Sequence, residues 1–209
     1  ISHDVRTPLT VLCGLADTLQ LTQPGLSDEG KELVASLRSH AFHLHGMVNN
    51  LLDMARLQSG RVQLQREWQP LDEVIGASIH LLGNTLSSHT VRVAVPADLP
   101  LVQLDAVLLE RVFCNLLENA AKYSPPHSTI TLAAGVQGSV IEVRVCNAGA
   151  GFPAGVMGDL LDVFSRGQQE SPVQGFGIGL SICRRIIEAH GGEIVLISPE
   201  AGGACVAFT

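Results

Sequence analysis

Apolar residues near the start of the chain fall at Val5, Leu9, Leu12, Ala16 and Leu19, in steps of four and three. That spacing predicts one apolar face of a helix. The stretch from Thr22 to Ser27, with Pro24 and Gly25 inside it, breaks the pattern, which resumes at Leu33, Leu37, His40, Leu44, Met47, Leu51 and Met54. Ser27 is a suitable N-cap for this second helix, and Asp28 and Glu29 complement the dipole of its first turn. Two such helices across a short turn form an antiparallel hairpin. A second stripe, Val34, Ala41, Val48 and Ala55, makes the apolar face wider than one partner helix covers. Two hairpins packed about a two-fold axis, giving a homodimeric four-helix bundle, bury it most simply.

Ser59-Gly60 ends the hairpin, and the texture then changes to alternating, strand-like runs such as Val62 to Gln65 and Val91 to Val95. Helices are expected near Leu71 to Leu82, Asp105 to Lys122 and Ile178 to His190. Strands are expected near Thr129 to Ala134, Ser139 to Cys146, Glu193 to Ser198 and Ala204 to Phe208. Two domains follow, residues 1–60 and 61–209. The fold class is α+β, and the second domain is a two-layer sandwich with a mixed, largely antiparallel sheet.

Composition narrows the function classes. With 209 residues, 46% of them hydrophobic, the chain supports a real core. A charged content of 16% and a net charge of -7 leave no basic surface for nucleic acid. No apolar run approaches the roughly 18 residues of a membrane span, and the charged, polar opening from Ile1 to Arg6 is no signal peptide. It reads as a cut inside a longer protein. The five cysteines are odd in number and contain no CxxC pair, so they read as small buried hydrophobes in a reducing compartment. His40 and His43 have a spacing that would suit a metal, but no carboxylate or thiol joins them, and a helix surface is the expected setting.

His3 lies about 200° from Val5 on a wheel of about 100° per residue, so it projects opposite the apolar stripe. Thr7, Thr10 and Gly14 continue that exposed face, and Asp4 is its neighbour. A carboxylate that accepts from one imidazole nitrogen fixes the tautomer and leaves the other as a nucleophile. Pro8 removes a helical donor beside it.

Further along, Asn115, Asn119 and Lys122 share one helical face, followed by Tyr123 and Ser124. Amide oxygens are hard ligands and an ammonium is a point charge for phosphate, so this face suits a magnesium triphosphate. The run Gly175-Phe-Gly-Ile-Gly179-Leu180 precedes a helix, where backbone amides and the positive dipole end approach phosphate oxygens. A dinucleotide-binding reading fails, because no strand and no acidic residue after a second strand frame the repeat.

Ser2-His3-Asp4-Val5-Arg6-Thr7-Pro8-Leu9 resembles the H box of the HisKA-type histidine kinases. The run from Asn115 to Ser124, the turn Gly149-Ala150-Gly151 and the glycines from 175 to 179 resemble, in order, the N, G1 and G2 boxes of the Bergerat-fold ATPases. That superfamily includes histidine kinases, gyrase-type topoisomerases, Hsp90 chaperones and MutL proteins. The resemblance implies ATP and Mg2+ as cofactors, with Asn119 the magnesium ligand. It also implies His3 as phosphoryl acceptor, Asp4 as the residue that orients and deprotonates it, and Thr7 as positioning water for removal of phosphate from a response regulator receiver domain. Phe152 to Phe176 would be the lid over ATP, and Phe164-Ser165-Arg166-Gly167 resembles the kinase F box. Hydrolases of the superfamily carry a glutamate four residues before the metal-binding asparagine. Here that residue is Asn115, which cannot act as a base, and transfer to histidine is favoured over water attack.

Two positions depart from the pattern. The first G1 residue, normally an aspartate that accepts from the adenine amine, is Asn147, and Leu161 replaces the first phenylalanine of the F box. A neutral acceptor weakens the adenine contact by about 1 kcal/mol. An amide can also donate to guanine O6, so weakened or relaxed nucleotide selectivity is an alternative expectation, beside a Bergerat-fold ATPase. The runs Val48 to Gly60, Glu67-Trp68 and Glu200 to Cys205 resemble the potassium-responsive sensor kinases. This implies membrane spans and sensor domains upstream, with these residues forming the cytoplasmic portion of an inner-membrane sensor.

Overall fold

The computed structural model describes residues 10–12, 14–15, 17–19, 27, 29–38, 40–41, 44, 48, 64–152, 161, 179–199 and 202–209. The chain divides into two compact units, Ile1–Ser59 and Gly60–Thr209. In the first, every described residue between 10 and 19 and between 29 and 48 is helical. Ser27 caps the second helix: its Oγ accepts from the Gly30 N–H at 3.2 Å and its carbonyl from that of Lys31 at 2.9 Å. Arg38 donates to the Asp17 carboxylate across the hairpin. This exposed pair contributes little stability. Leu12, Leu19, Leu33, Leu37 and Leu44 of the apolar stripes are exposed in a single copy of the chain.

The second unit runs β1 (Glu67–Gln69), α1 (Leu71–Leu81), α2 (Gly83–Leu86), β2 (Thr90–Ala94), β3 (Val102–Leu104), α3 (Ala106–Lys122), β4 (Thr129–Gln137), β5 (Val140–Asn147), α4 (Gly179–His190), β6 (Ile194–Ile197) and β7 (Ala204–Phe208). Five strands form a mixed sheet in the order β2-β4-β5-β7-β6, with only β2 and β4 parallel, and β1 pairs with β3 apart from it. Alternation along the strands decides which face is covered. Ile130, Leu132 and Ala134 of β4, Val143 and Val145 of β5, and Val206 and Phe208 of β7 stand opposite one another in register and are buried. Against them α3 places Leu109, Val112, Phe113, Leu116 and Leu117, and α4 places Ile182, Ile186 and Ile187. The Phe113 and Phe208 rings meet at 5.8 Å between centroids, and each such burial contributes about 1.5–3 kcal/mol. The result is the two-layer α/β sandwich expected of the second domain.

The start of α3 is tied to the end of α4. Asp105 Oδ1 accepts from the Leu108 N–H at 3.2 Å as N-cap, and its Oδ2 accepts from the Gln65 N–H at 3.1 Å. Its own N–H donates to His190 Nε2 at 3.0 Å, which requires the tautomer whose Nδ1–H donates to the Ile186 carbonyl. Asp105→Ala removes the cap and the Gln65 contact together. It is expected to lower stability by about 1–2 kcal/mol, read as a shifted urea midpoint at unchanged slope.

Two expectations need correction. Leu64 and Gln65 are not in a strand. The strand lies at Glu67–Gln69, because β3 offers a partner only there and the Gln65 N–H is engaged by Asp105. The periodicity does not predict the short elements β3 and α2. Finally, Cys146 and Cys205 are not independent hydrophobes: they face each other in the β5–β7 register and form a disulfide. Alternation puts this bridge on the sheet face turned away from the helices. Cys183 matches the buried-hydrophobe reading, and Cys114 is half-buried. Burial pushes the Cys183 thiol up to about 12 and that of Cys114 to about 11, so both stay protonated and unreactive. The bridge joins residues 59 apart, so in oxidising buffer Cys146→Ser is expected to lose about 2–4 kcal/mol of stability. In reducing buffer the two proteins should unfold at the same denaturant concentration.

Candidate functional site

The last turns of α3 carry the polar face expected from the sequence. Asn115, Asn119 and Lys122 are half-buried, while Leu116, Leu117, Ala120 and Ala121 on the opposite side are in the core. Asn115 Nδ2 donates to the Arg111 carbonyl at 3.0 Å, which turns its Oδ1 outward. The first residue of α4, Gly179, comes against that oxygen: a Cβ there would lie 3.2 Å from Asn115 Oδ1 and 3.8 Å from Asn119 Nδ2. The start of α4, including Leu180, therefore abuts the asparagine face of α3, and the positive end of its dipole faces hard oxygen donors. The Lys122 ammonium sits 5.4 Å from the centroid of the Tyr123 ring.

One turn further on, the end of β5 meets the end of α3. Asn147 stands opposite Ile130 in register, so it shares the helix-covered face of the sheet. Its Nδ2 donates to Ser124 Oγ at 3.1 Å. Gly149 makes that approach possible: a Cβ there would lie 2.3 Å from the Tyr123 carbonyl oxygen and 2.9 Å from Asn147 Nδ2. Gly151, at φ 82°, turns the chain beside Gly203, whose carbonyl would be 3.0 Å from an added Cβ.

Asn115, Asn119, Gly179 and Leu180 are thus brought together, as are Tyr123, Ser124, Asn147 and Gly149 at the same end of α3. His3, Asp4, Thr7, Phe164, Arg166, Gly175 and Gly177 lie outside the described residues. Sequence reasoning passed over Ser124 as a side chain with a role. The available signal was a serine four residues after Ala120 at the end of a helix, where the hydroxyl returns to a backbone carbonyl. Nothing local pointed to Gly203.

Among the described residues no group of three or more His, Cys, Asp or Glu could hold a metal ion. The neutral amide set at Asn115 and Asn119 fits a magnesium ion that arrives with a nucleotide, its phosphates supplying most of the ligands and charge.

A helix face of amides and a lysine, capped by a second helix N-terminus over a mixed sheet, defines a nucleotide-binding domain of the ATPase class shared by kinases and chaperones. Residues 104–209, just over half of the chain, match the family described as histidine kinase-, DNA gyrase B-, and HSP90-like ATPase, and residues 1–60 match the His Kinase A (phospho-acceptor) domain. The chain belongs to the sensor histidine kinases, with a phospho-acceptor helical region followed by an ATP-binding α/β sandwich. It is 42% identical over its whole length to the sensor protein KdpD of Escherichia coli K12. It is also 31% identical to the adaptive-response sensory kinase SasA of Synechococcus elongatus, of which it covers 57%. Full-length ShkA, solved in complex with AMPPNP, superposes with a TM-score of 0.77 at 25% identity, over 99% of this chain and 43% of that one. The chain spans 23% of the length of the KdpD relative. Among the described residues no helix is long and apolar enough to cross a membrane.

Proposed function

We propose that this chain is a two-component transmitter that moves the γ-phosphoryl group of magnesium-ATP to His3 and from there to an aspartate of a response regulator receiver domain. The observation that carries this reading is the approach of Gly179, at the start of α4, to Asn115 and Asn119, which sets a helix N-terminus beside two amide side chains suited to a nucleotide's phosphates and their metal ion. Residues 1–60 serve as the phosphotransfer and dimerisation domain, and residues 61–209 as the catalytic domain. Asn119 holds the magnesium ion, which when bound neutralises charge on the transferring phosphate, and Lys122 supports the same oxygens. Asn147 meets the nucleobase, the segment with Phe164 and Arg166 covers the nucleotide, and Gly175 and Gly177 let backbone amides approach its phosphates.

Asn115 is an amide whose nitrogen is engaged by the Arg111 carbonyl, so nothing at that position deprotonates water. This favours the histidine of the helical domain as acceptor over hydrolysis. Asp4 fixes the acceptor tautomer, and Thr7 positions water when the regulator is dephosphorylated. The exposed leucines of the hairpin support a homodimer in which two hairpins bury their stripes together. Similarity to KdpD supports a potassium-responsive role, in the cytoplasmic portion of a membrane-anchored sensor.

Incubation with γ-labelled ATP and magnesium tests the reading. Label that is acid-labile and alkali-stable on the protein is expected. Free phosphate released without labelled protein would overturn it in favour of a Bergerat-fold ATPase.

A further inference from the structure

Asn147 stands where a carboxylate would accept a hydrogen bond from adenine, and an amide is ambiguous: its oxygen reads an amine, its nitrogen reads a carbonyl. Which end meets the base depends on what holds the other end. Ser124 Oγ lies 3.1 Å from Asn147 and 2.5 Å from the Ala120 carbonyl oxygen. A hydroxyl has one proton, and a carbonyl can only accept. With the proton committed to Ala120, Oγ must accept from its other neighbour, so the side of Asn147 turned to Ser124 is the NH2 group. Reversing the amide would set two acceptors against each other or cost the Ala120 bond.

Gly149 reinforces this arrangement. Its missing Cβ leaves room for Nδ2, which would be 2.9 Å from such an atom, so the NH2 end sits beside Gly149 and is held by Ser124. Oδ1 of the Asn147 side chain accepts from no described residue.

We propose that Ser124 is a specificity-determining residue: by holding the NH2 end of Asn147, it presents the Oδ1 end to the nucleobase and keeps the site selective for an exocyclic amine, as in adenine, against a carbonyl, as in guanine. The inference rests on the nucleotide reading given above and argues against the alternative of relaxed selectivity. The substitution of Asp by Asn weakens the contact without reversing its direction, because the serine supplies the orientation that a carboxylate does not need.

Isothermal titration of the full chain with magnesium-ATP and magnesium-GTP tests it. The chain is expected to favour ATP, and Ser124→Ala, which frees the amide to turn, should lower the ATP-to-GTP affinity ratio by about three- to tenfold, the worth of one neutral hydrogen bond. Ser124→Thr keeps the hydroxyl and should keep the ratio, whereas a loss of fold alone would weaken both nucleotides together. In an Asn147→Asp background Ser124→Ala should not change the ratio, since either carboxylate oxygen accepts. Equal affinity of the unaltered chain for GTP, or a ratio unmoved by Ser124→Ala, overturns the proposal while the nucleotide site stands. If Asn147→Ala changes neither affinity, the nucleotide reading of this position fails, and the proposal with it.

Discussion

His3→Gln is expected to abolish transfer of label from γ-labelled ATP to the protein while leaving ATP affinity unchanged. The nucleophile in such a transfer is an imidazole nitrogen with a free lone pair. A glutamine amide nitrogen delocalises its lone pair into the carbonyl, so it keeps polarity and hydrogen bonding but not nucleophilicity. The residues proposed to hold the nucleotide all belong to the second unit, Gly60–Thr209, and His3 belongs to the first. Loss of the acceptor should therefore appear in label incorporation and not in a titration with ATP. Residual label at another residue would show that His3 is not the acceptor. A parallel fall in ATP affinity would show that the substitution damages more than the acceptor.

The second large effect is expected at Asn119. Asn119→Ala should lower label incorporation by at least about a hundredfold, the usual cost of removing one group that stabilises charge in a transition state. Folding is not the cause. Asn119 is half-buried in α3, its carbonyl accepts from the Tyr123 N–H at 3.0 Å through the backbone, and alanine is the better helix former. The thermal midpoint should accordingly stay at or above that of the unaltered chain. Activity that persists at higher magnesium concentration would locate the defect in metal binding, and activity within about threefold of normal would remove Asn119 from the site.

The elements that the sequence made legible are those whose signals are local. The helix from Ala106 to Lys122 has its cap at Asp105 and an apolar face of the right period, and β4 alternates from Thr129 to Gly135, so both start where the pattern puts them, although β4 runs on to Gln137. The polar face with Asn115, Asn119 and Lys122 could be read in the same way, from spacing alone. What the sequence did not disclose depends on partners far along the chain. The strand β3 spans three residues, too few to alternate visibly, and it owes its existence to β1, whose central residue Trp68 pairs with Gln103. Cys146 meets Cys205 only because β5 and β7 are neighbours, across a separation of 59 residues. The direction of the Asn147 amide is invisible in its own neighbourhood, since Ser124, 23 residues earlier, sets it.

Gly203 holds one further consequence. Its φ of 90° belongs to the left-handed region that favours glycine, and a Cβ on it would lie 2.3 Å from the carbonyl oxygen of Asn147. The backbone at the end of the site proposed to meet the nucleobase is thus kept in place by an atom that is not there. A survey that trims side chains down to alanine probes what each group contributes and has nothing to trim here. Adding one methyl group at 203 does the opposite, pushing the last residue of β5 out of line. Tolerance to sequence drift should therefore be lowest at a position with no chemistry of its own, and a library of random substitutions should return glycine there as firmly as it returns histidine at position 3.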